Sequence, residues 1–95
     1  MRNTTPRISV LMPTYNSARY LPEAIQSILT QTYTDFEFVI VDDYSTDETP
    51  EILSHFARKD NRIRILRNHK NLGRAGARNR ALKAAKRSSE FIATM

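Results

Sequence analysis

Apolar positions fall into two kinds of run along this chain, and their spacing predicts an alternation of strands and helices. Residues 8–12 (Ile, Ser, Val, Leu, Met) are almost continuously apolar and are closed by Pro13, as expected of a short strand buried on both faces. After a polar turn, Leu21, Ala24, Ile25, Ile28 and Leu29 recur at i, i+3, i+4, i+7 and i+8, which is one helical stripe. Pro22 suits the first helical position, where an amide needs no partner. Residues 36–41 (Phe, Glu, Phe, Val, Ile, Val) are rich in aromatic and β-branched side chains and stop abruptly at Asp42 and Asp43, so they read as a second strand.

Further on, Thr49, Pro50 and Glu51 read as an N-cap, a first-turn proline and an acid at the positive end of a helix dipole, with Ile52, Leu53, Phe56 and Ala57 as the apolar face. Ile63, Ile65 and Leu66 among arginines predict a third strand, more exposed and edge-like. Beyond the turn-like residues 71–73, the alanine-rich stretch 74–86 has high helix propensity and should end near Ser88. Residues 91–95 are apolar again and start a fourth strand. The order β-α-β-α-β-α-β with crossovers of helical length calls for an α/β fold, a Rossmann-like parallel sheet with helices on both faces and right-handed connections. In such sheets ligands bind beyond the carboxyl ends of the strands, near the point where the winding reverses.

Three groups of residues follow the strands in this way. Pro13, Thr14, Tyr15 and Asn16 offer a fixed backbone, a hydroxyl, an aromatic face and an amide, enough to cradle a base or sugar, though the same four residues make an ordinary strand-to-helix turn. Asp42 and Asp43 repel each other and contribute nothing to a core, so a cationic or hydrogen-donating neighbour is expected. Such an acid could accept from a nucleobase imide, coordinate a metal or act as a base. Alternatively, Asp42 caps the amides of the following loop while Asp43 is merely solvated, and the structural role falls to Asp42. The third group, residues 71–79, puts small side chains and arginines where the last helix begins, a setting that favours an anion. Ala75, Arg78, Asn79 and Leu82 share one helical stripe, and Ala77, Ala81 and Ala84 another; the sequence leaves open which of them meets the sheet.

Composition narrows the field. At 95 residues and 11.0 kDa the chain is one domain, and 40% hydrophobic with 26% charged residues is ordinary for a globular protein. The absence of cysteine excludes disulfides, thiolate metal sites and cysteine nucleophiles. No apolar run approaches the ~18 residues of a membrane span, and residues 1–7 lack a signal-peptide core, which is compatible with a cytoplasmic location. His55 and His69 lack metal-ligand spacing, and neither a G-x-G-x-x-G nor a G-x-x-x-x-G-K-[ST] loop is present. Charge is divided along the chain: residues 1–57 balance at −5, and the remainder balances at +10. This polarity suggests an anionic partner, either a phosphorylated small molecule or, through residues 58–87, a nucleic acid. That basic run has no recognised reading motif or stacking aromatics, so nucleic acid is not the expected partner.

Taken together, the segments 8–16, 36–47 and 71–79 strongly resemble family 2 glycosyltransferases of the GT-A type, as does the linking stretch 20–36; the likeness runs from about Arg7 to Met95. The resemblance implies transfer of a sugar from a nucleotide-sugar donor to an acceptor, usually by inversion, with a divalent cation, Mg or Mn, on the diphosphate. By position, Pro13, Thr14 and Tyr15 would line the base and ribose, Asp43 would accept a hydrogen bond from the base, and Asn71 and Arg78 would lie toward the nucleotide or its phosphates. The family commonly has glycine where Tyr44 stands, which bears on the loop because tyrosine resists positive φ. Ser88 and Ser89 likewise stand where a glycine often ends the helix. The family's Asp-x-Asp metal motif would follow Met95, so the resemblance casts residues 1–95 as the nucleotide-sugar-binding half of an enzyme without its acceptor half. The expectation is a chain that binds nucleotide, has no metal ligands or catalytic residues of its own and does not turn over, from an enzyme that is cytoplasmic or held at a membrane. An open sheet edge would offer a route to self-association.

Overall fold

The computed structural model describes residues 8–31, 35–85 and 91–94, the last four by their backbone alone. The elements run β1 (Ile8–Thr14), α1 (Leu21–Leu29), β2 (Phe36–Asp42), α2 (Thr49–Lys59), β3 (Ile63–Arg67), α3 (Gly73–Ala84) and β4 (Phe91–Thr94). All strand pairs are parallel and the sheet order is β3-β2-β1-β4. The α/β, Rossmann-like arrangement expected from the alternation is therefore present. The chain winds outward from β1 through β2 to β3, then crosses back to place β4 on the other side of β1, so the winding reverses between β1 and β4.

Strand alternation sorts the apolar side chains into two layers. Val10, Met12, Phe36, Phe38, Ile40 and Ile63 face α1 and α2, meeting Leu21, Ile25, Ile28 and Leu53 in the larger core. Leu11, Val39 and Val41 face α3, which answers with Ala77, Ala81 and Ala85. These alanines are the face that meets the sheet. Arg78, Asn79 and Leu82 are exposed, because a helix covered by methyl groups approaches the strands closely and leaves no room for longer side chains.

The far end of α3 is fastened by a polar group on the same face. Arg64 Nη1 donates to Glu37 Oε1 at 3.0 Å and to the Ala84 carbonyl at 2.7 Å, while Ser9 Oγ donates to Glu37 Oε2 at 2.6 Å. Glu37 is buried, so its charge depends on these partners. Among the described residues α3 stops at Ala84, with Ala85 turning to an extended conformation. The expected end near Ser88 lies outside them, as do Ser89 and the strand end at Met95.

Several boundaries differ from expectation. β1 runs two residues past Met12, through Pro13. The Thr14 carbonyl accepts from Asp43 N at 2.8 Å, so the polar groups of Thr14 face β2 and the Pro13 nitrogen faces the opposite side. There, described pairing with β4 ends at Leu11 and Thr94, so the missing amide removes no described ladder bond. Thr49 is the first residue of α2, not its N-cap; the cap position is Glu48. Thr49 is wholly buried, its hydroxyl accepts from Ser17 N at 3.0 Å, and its own amide donates to Asp47 Oδ1 at 2.9 Å. Asp47 thus performs the capping from just outside the helix.

Candidate functional site

The loops after β1 and β2 are sewn to each other. Asn16 adopts a positive φ of 46°, its amide donates to Ser45 Oγ at 2.9 Å, and its Oδ1 accepts from Thr46 N at 2.7 Å. Asp47 Oδ2 accepts from Ala18 N at 3.3 Å. The hydrogen bonds lower the pKa of Asp47, led by that from the Thr49 side chain, so the clamp is ionised at neutral pH.

Asp42 and Asp43 divide their work. Asp42 Oδ1 caps Ser45 N at 3.1 Å, the structural role expected of it. Its Oδ2 is buried without a hydrogen-bond donor, although Arg67 Nε approaches to 3.4 Å as an ion-pair partner. Arg67 also donates to the Ser45 carbonyl and lies over the Tyr44 ring at 5.6 Å. Tyr44 takes φ 68° despite its side chain, so the loop keeps the left-handed turn that a glycine would adopt readily.

Asp43 is not solvated, contrary to the alternative considered for it: it is 3% exposed and fully engaged. Oδ1 accepts from Asn68 Nδ2 and Leu72 N, both at 2.8 Å, and Oδ2 accepts from Gly73 N at 2.9 Å. Leu72 and Gly73 are the N-cap and first residue of α3, so this acid caps a helix that begins after the next strand. Gly73 has φ +81°, a conformation that requires glycine here. Asn71 Oδ1 also accepts from Gly73 N, which leaves the Asn71 amide NH2 pointing outward as a donor.

These pieces enclose a cleft of about 310 Å³ beyond the carboxyl ends of β1 and β2. Of the residues expected at the site, Pro13, Thr14, Tyr15, Asp43 and Asn71 line it together. Arg78 does not; it is exposed one turn farther along α3, and Arg74 lines the cleft with Gly73 and Ala77. Ser17 and Arg74 were not singled out by sequence reasoning, although the Ala77, Ala81 and Ala84 stripe carried the rotation that turns Arg74 inward. Asn68, the buried partner of Asp43, was missed too, yet it follows β3 as the strand-end rule requires. Thr14 Oγ1 is buried with no partner; Thr14 is in register with Asp42, so this hydroxyl stands on the Asp42 face of the sheet. Among the described residues no three His, Asp or Glu side chains form a metal-binding group, so the donor set present does not fit a metal.

Comparison with known proteins gives the arrangement its context. The model of glycosyl transferase family 2 matches residues 9–95. The glycosyltransferase GlyG of Streptococcus pneumoniae is 44% identical over 85 residues, covering 90% of this chain and 28% of its own length. An Escherichia coli UDP-Glc:alpha-D-GlcNAc-diphosphoundecaprenol beta-1,3-glucosyltransferase, WfgD, is 43% identical over 86 residues, 90% of this chain and 32% of that protein. Among solved structures, residues 1–349 of TarS from S. aureus in complex with UDP superpose with a TM-score of 0.84 at 37% identity, covering 94% of this chain and 26% of that one. A mannosyltransferase from Pyrobaculum calidifontis in complex with GDP-Man and Mn2+ gives 0.79 at 34%, covering 86% and 25%. The chain thus spans about a third of those relatives and about a quarter of those structures. Its Rossmann-like sheet matches the GT-A glycosyltransferase structures, and by sequence match and fold together the chain belongs to glycosyl transferase family 2.

Proposed function

We propose that residues 1–95 form one domain that holds the nucleotide of a nucleotide-diphosphate sugar in the cleft between Thr14, Asp43 and Asn71, as the donor-binding half of a sugar-transfer enzyme. The observation that carries this reading is the cleft beyond the carboxyl ends of β1 and β2, whose walls include an acid, an amide and an arginine. Tyr15, half exposed, offers an aromatic face, and Arg74 carries the positive charge nearest the mouth, suited to a phosphate. Arg78 lies one turn away on the same helix and is the outer candidate for that role.

A divalent cation, Mg or Mn, would supply charge neutralisation for a diphosphate in the complete enzyme. The described residues do not form its site. Asp42 and Asp43 are committed to backbone and side-chain donors, so neither is placed to act as a base. The 95 residues are therefore expected to bind donor without turnover, with the acceptor site, the base and an inverting geometry supplied by further sequence. No described helix is long and apolar enough to cross a membrane. Nucleic acid is the weaker reading of the positive charge, because Arg62, Arg64, Arg67 and Arg80 are tied to acceptors within the protein. Calorimetric titration with UDP, dTDP and GDP sugars tests the proposal. Saturable binding that weakens in Tyr15→Ala supports it, and equal weak binding by both proteins counts against it.

A further inference from the structure

Arg67 is the last residue of β3, in register with Asp42 at the end of β2, and it does not line the cleft. Its guanidinium nevertheless meets three residues where β2 gives way to its loop. Nε stands 3.4 Å from Asp42 Oδ2, Nη2 donates to the Ser45 carbonyl at 2.9 Å, and Cζ lies over the Tyr44 ring, 5.6 Å from its centroid. Asp42 is 1% exposed and its Oδ2 has no hydrogen-bond donor, so the guanidinium is the charge that offsets it. Tyr44, between the two anchored residues, holds φ 68°, a backbone that a residue with a Cβ takes at a cost. Arg67 is itself tied down, because its carbonyl accepts from Arg80 Nη1 at 2.7 Å.

We propose that Arg67 is a positioning residue for the cleft: it clamps the left-handed turn at Tyr44 between Asp42 and Ser45, and so fixes the walls that rise from the ends of β1 and β2. The inference rests on the reading of the cleft as a nucleotide site and adds a residue that shapes it from outside. The route from clamp to cleft is short. Asp43, one wall, is bracketed by Asp42 and Tyr44. Tyr15, another wall, adjoins Asn16, whose amide donates to Ser45 Oγ at 2.9 Å and whose Oδ1 accepts from Thr46 N at 2.7 Å. A turn that relaxes at residues 44–45 therefore shifts both walls. The three contacts require nitrogens at fixed spacing and a flat face to set over an aromatic ring, whereas a lysine ammonium supplies a single nitrogen. Glycine would hold the same φ unaided, so the need for Arg67 is tied to the tyrosine at position 44.

The test combines amide hydrogen exchange with calorimetric titration of UDP and GDP, on the 95-residue chain and on Arg67→Ala, Arg67→Lys, Tyr44→Gly and the double variant Tyr44→Gly with Arg67→Ala. Arg67→Ala and Arg67→Lys are each expected to speed exchange at the Asn16, Ser45 and Thr46 amides by about tenfold, with amides inside β2 within about twofold of wild type. Each should also weaken whichever nucleotide wild type binds more tightly by about five- to tenfold. In the Tyr44→Gly background, Arg67→Ala should change either readout by less than about threefold. Wild-type exchange and affinity in a folded Arg67→Ala protein overturn the proposal. So does faster exchange spread evenly over β2, the mark of a merely structural role, and so does full rescue by Arg67→Lys. An equal loss in both backgrounds overturns the tie to Tyr44. Binding of neither nucleotide by wild type overturns the cleft reading, and the exchange rates then decide by themselves whether Arg67 clamps the turn. Circular dichroism identifies a variant that does not fold; Arg67→Lys, which keeps the charge and the stem, then decides in place of Arg67→Ala.

Discussion

Asp43 and Gly73 are thirty positions apart in the chain and are joined by a hydrogen bond, the Gly73 amide donating to Asp43 Oδ2 at 2.9 Å. The acid at the end of β2 therefore has two duties, as the cap of α3 and as a wall of the cleft. Asp43→Ala strands the Leu72 amide and the Asn68 side-chain NH2, leaves the Gly73 amide with Asn71 Oδ1 alone, and should lower unfolding stability by about 2–4 kcal/mol. Urea denaturation checks this. A loss below about 0.5 kcal/mol would show that the cap is dispensable.

Thr14→Val separates the cleft from the fold. The substitution removes a hydroxyl that is buried without a partner, so stability should stay level or rise by up to about 1 kcal/mol. Nucleotide affinity should change by less than about twofold over the same change, because the hydroxyl is closed off from the cleft. A melting temperature that holds or rises, with an unchanged titration, is the result to look for.

Tyr44 holds a left-handed backbone at φ 68°, which costs about 1–2 kcal/mol for a residue with a Cβ. Glycine would remove that cost, lose about 0.5–1 kcal/mol to unfolded-state freedom and forgo a surface contact with Arg67 of similar size. Tyr44→Gly is thus expected within about 1 kcal/mol of wild type. Tyr44→Ile has no such offset, because a β-branched residue fits that conformation worst, and should be the less stable variant by about 1–3 kcal/mol in the same denaturation assay.

Acid should loosen two clamps. The Arg62 guanidinium, through its hydrogen bonds, holds the Asp60 carboxyl below its ordinary value of 3.8, and the Thr49 hydrogen bonds do the same for Asp47. Both folded values are depressed, so the stabilisation is present above about pH 4 and is lost as pH falls through the folded values. The urea midpoint should therefore change little on their account from pH 7 to pH 5 and drop below pH 4. Asp60→Asn should flatten part of that drop; an unchanged acid limb would refute the assignment.

Legibility in the sequence followed how a residue's duty is fixed. Strands β1 and β2 and the stripe of α1 could be read directly because burial on both faces, or on one helical face, leaves a local pattern. Pro13, Thr14, Tyr15, Asp43 and Asn71 could be placed at one rim because a parallel sheet sends its strand ends to the same side. Thr49 looked like a cap from its neighbours alone, but its hydroxyl serves Ser17, a partner set by tertiary packing. The alternative of a solvated Asp43 fails for the same reason, since its donors come from Asn68, Leu72 and Gly73. Choosing Arg74 over Arg78 required the rotation of α3, which alanine packing against Leu11, Val39 and Val41 decides.

The seating of β4 against β1 has a bearing on how the chain reaches this shape. Ile8 pairs with Phe91, 83 positions later, so the first strand gains its second neighbour from far along the sequence. A contact of such long span closes a large loop before it returns any stabilisation, and proteins dominated by such contacts fold slowly. On a ribosome, β1, β2 and β3 can assemble while one flank of β1 waits for residues not yet made. That interval is when the nascent sheet most needs shielding from other chains.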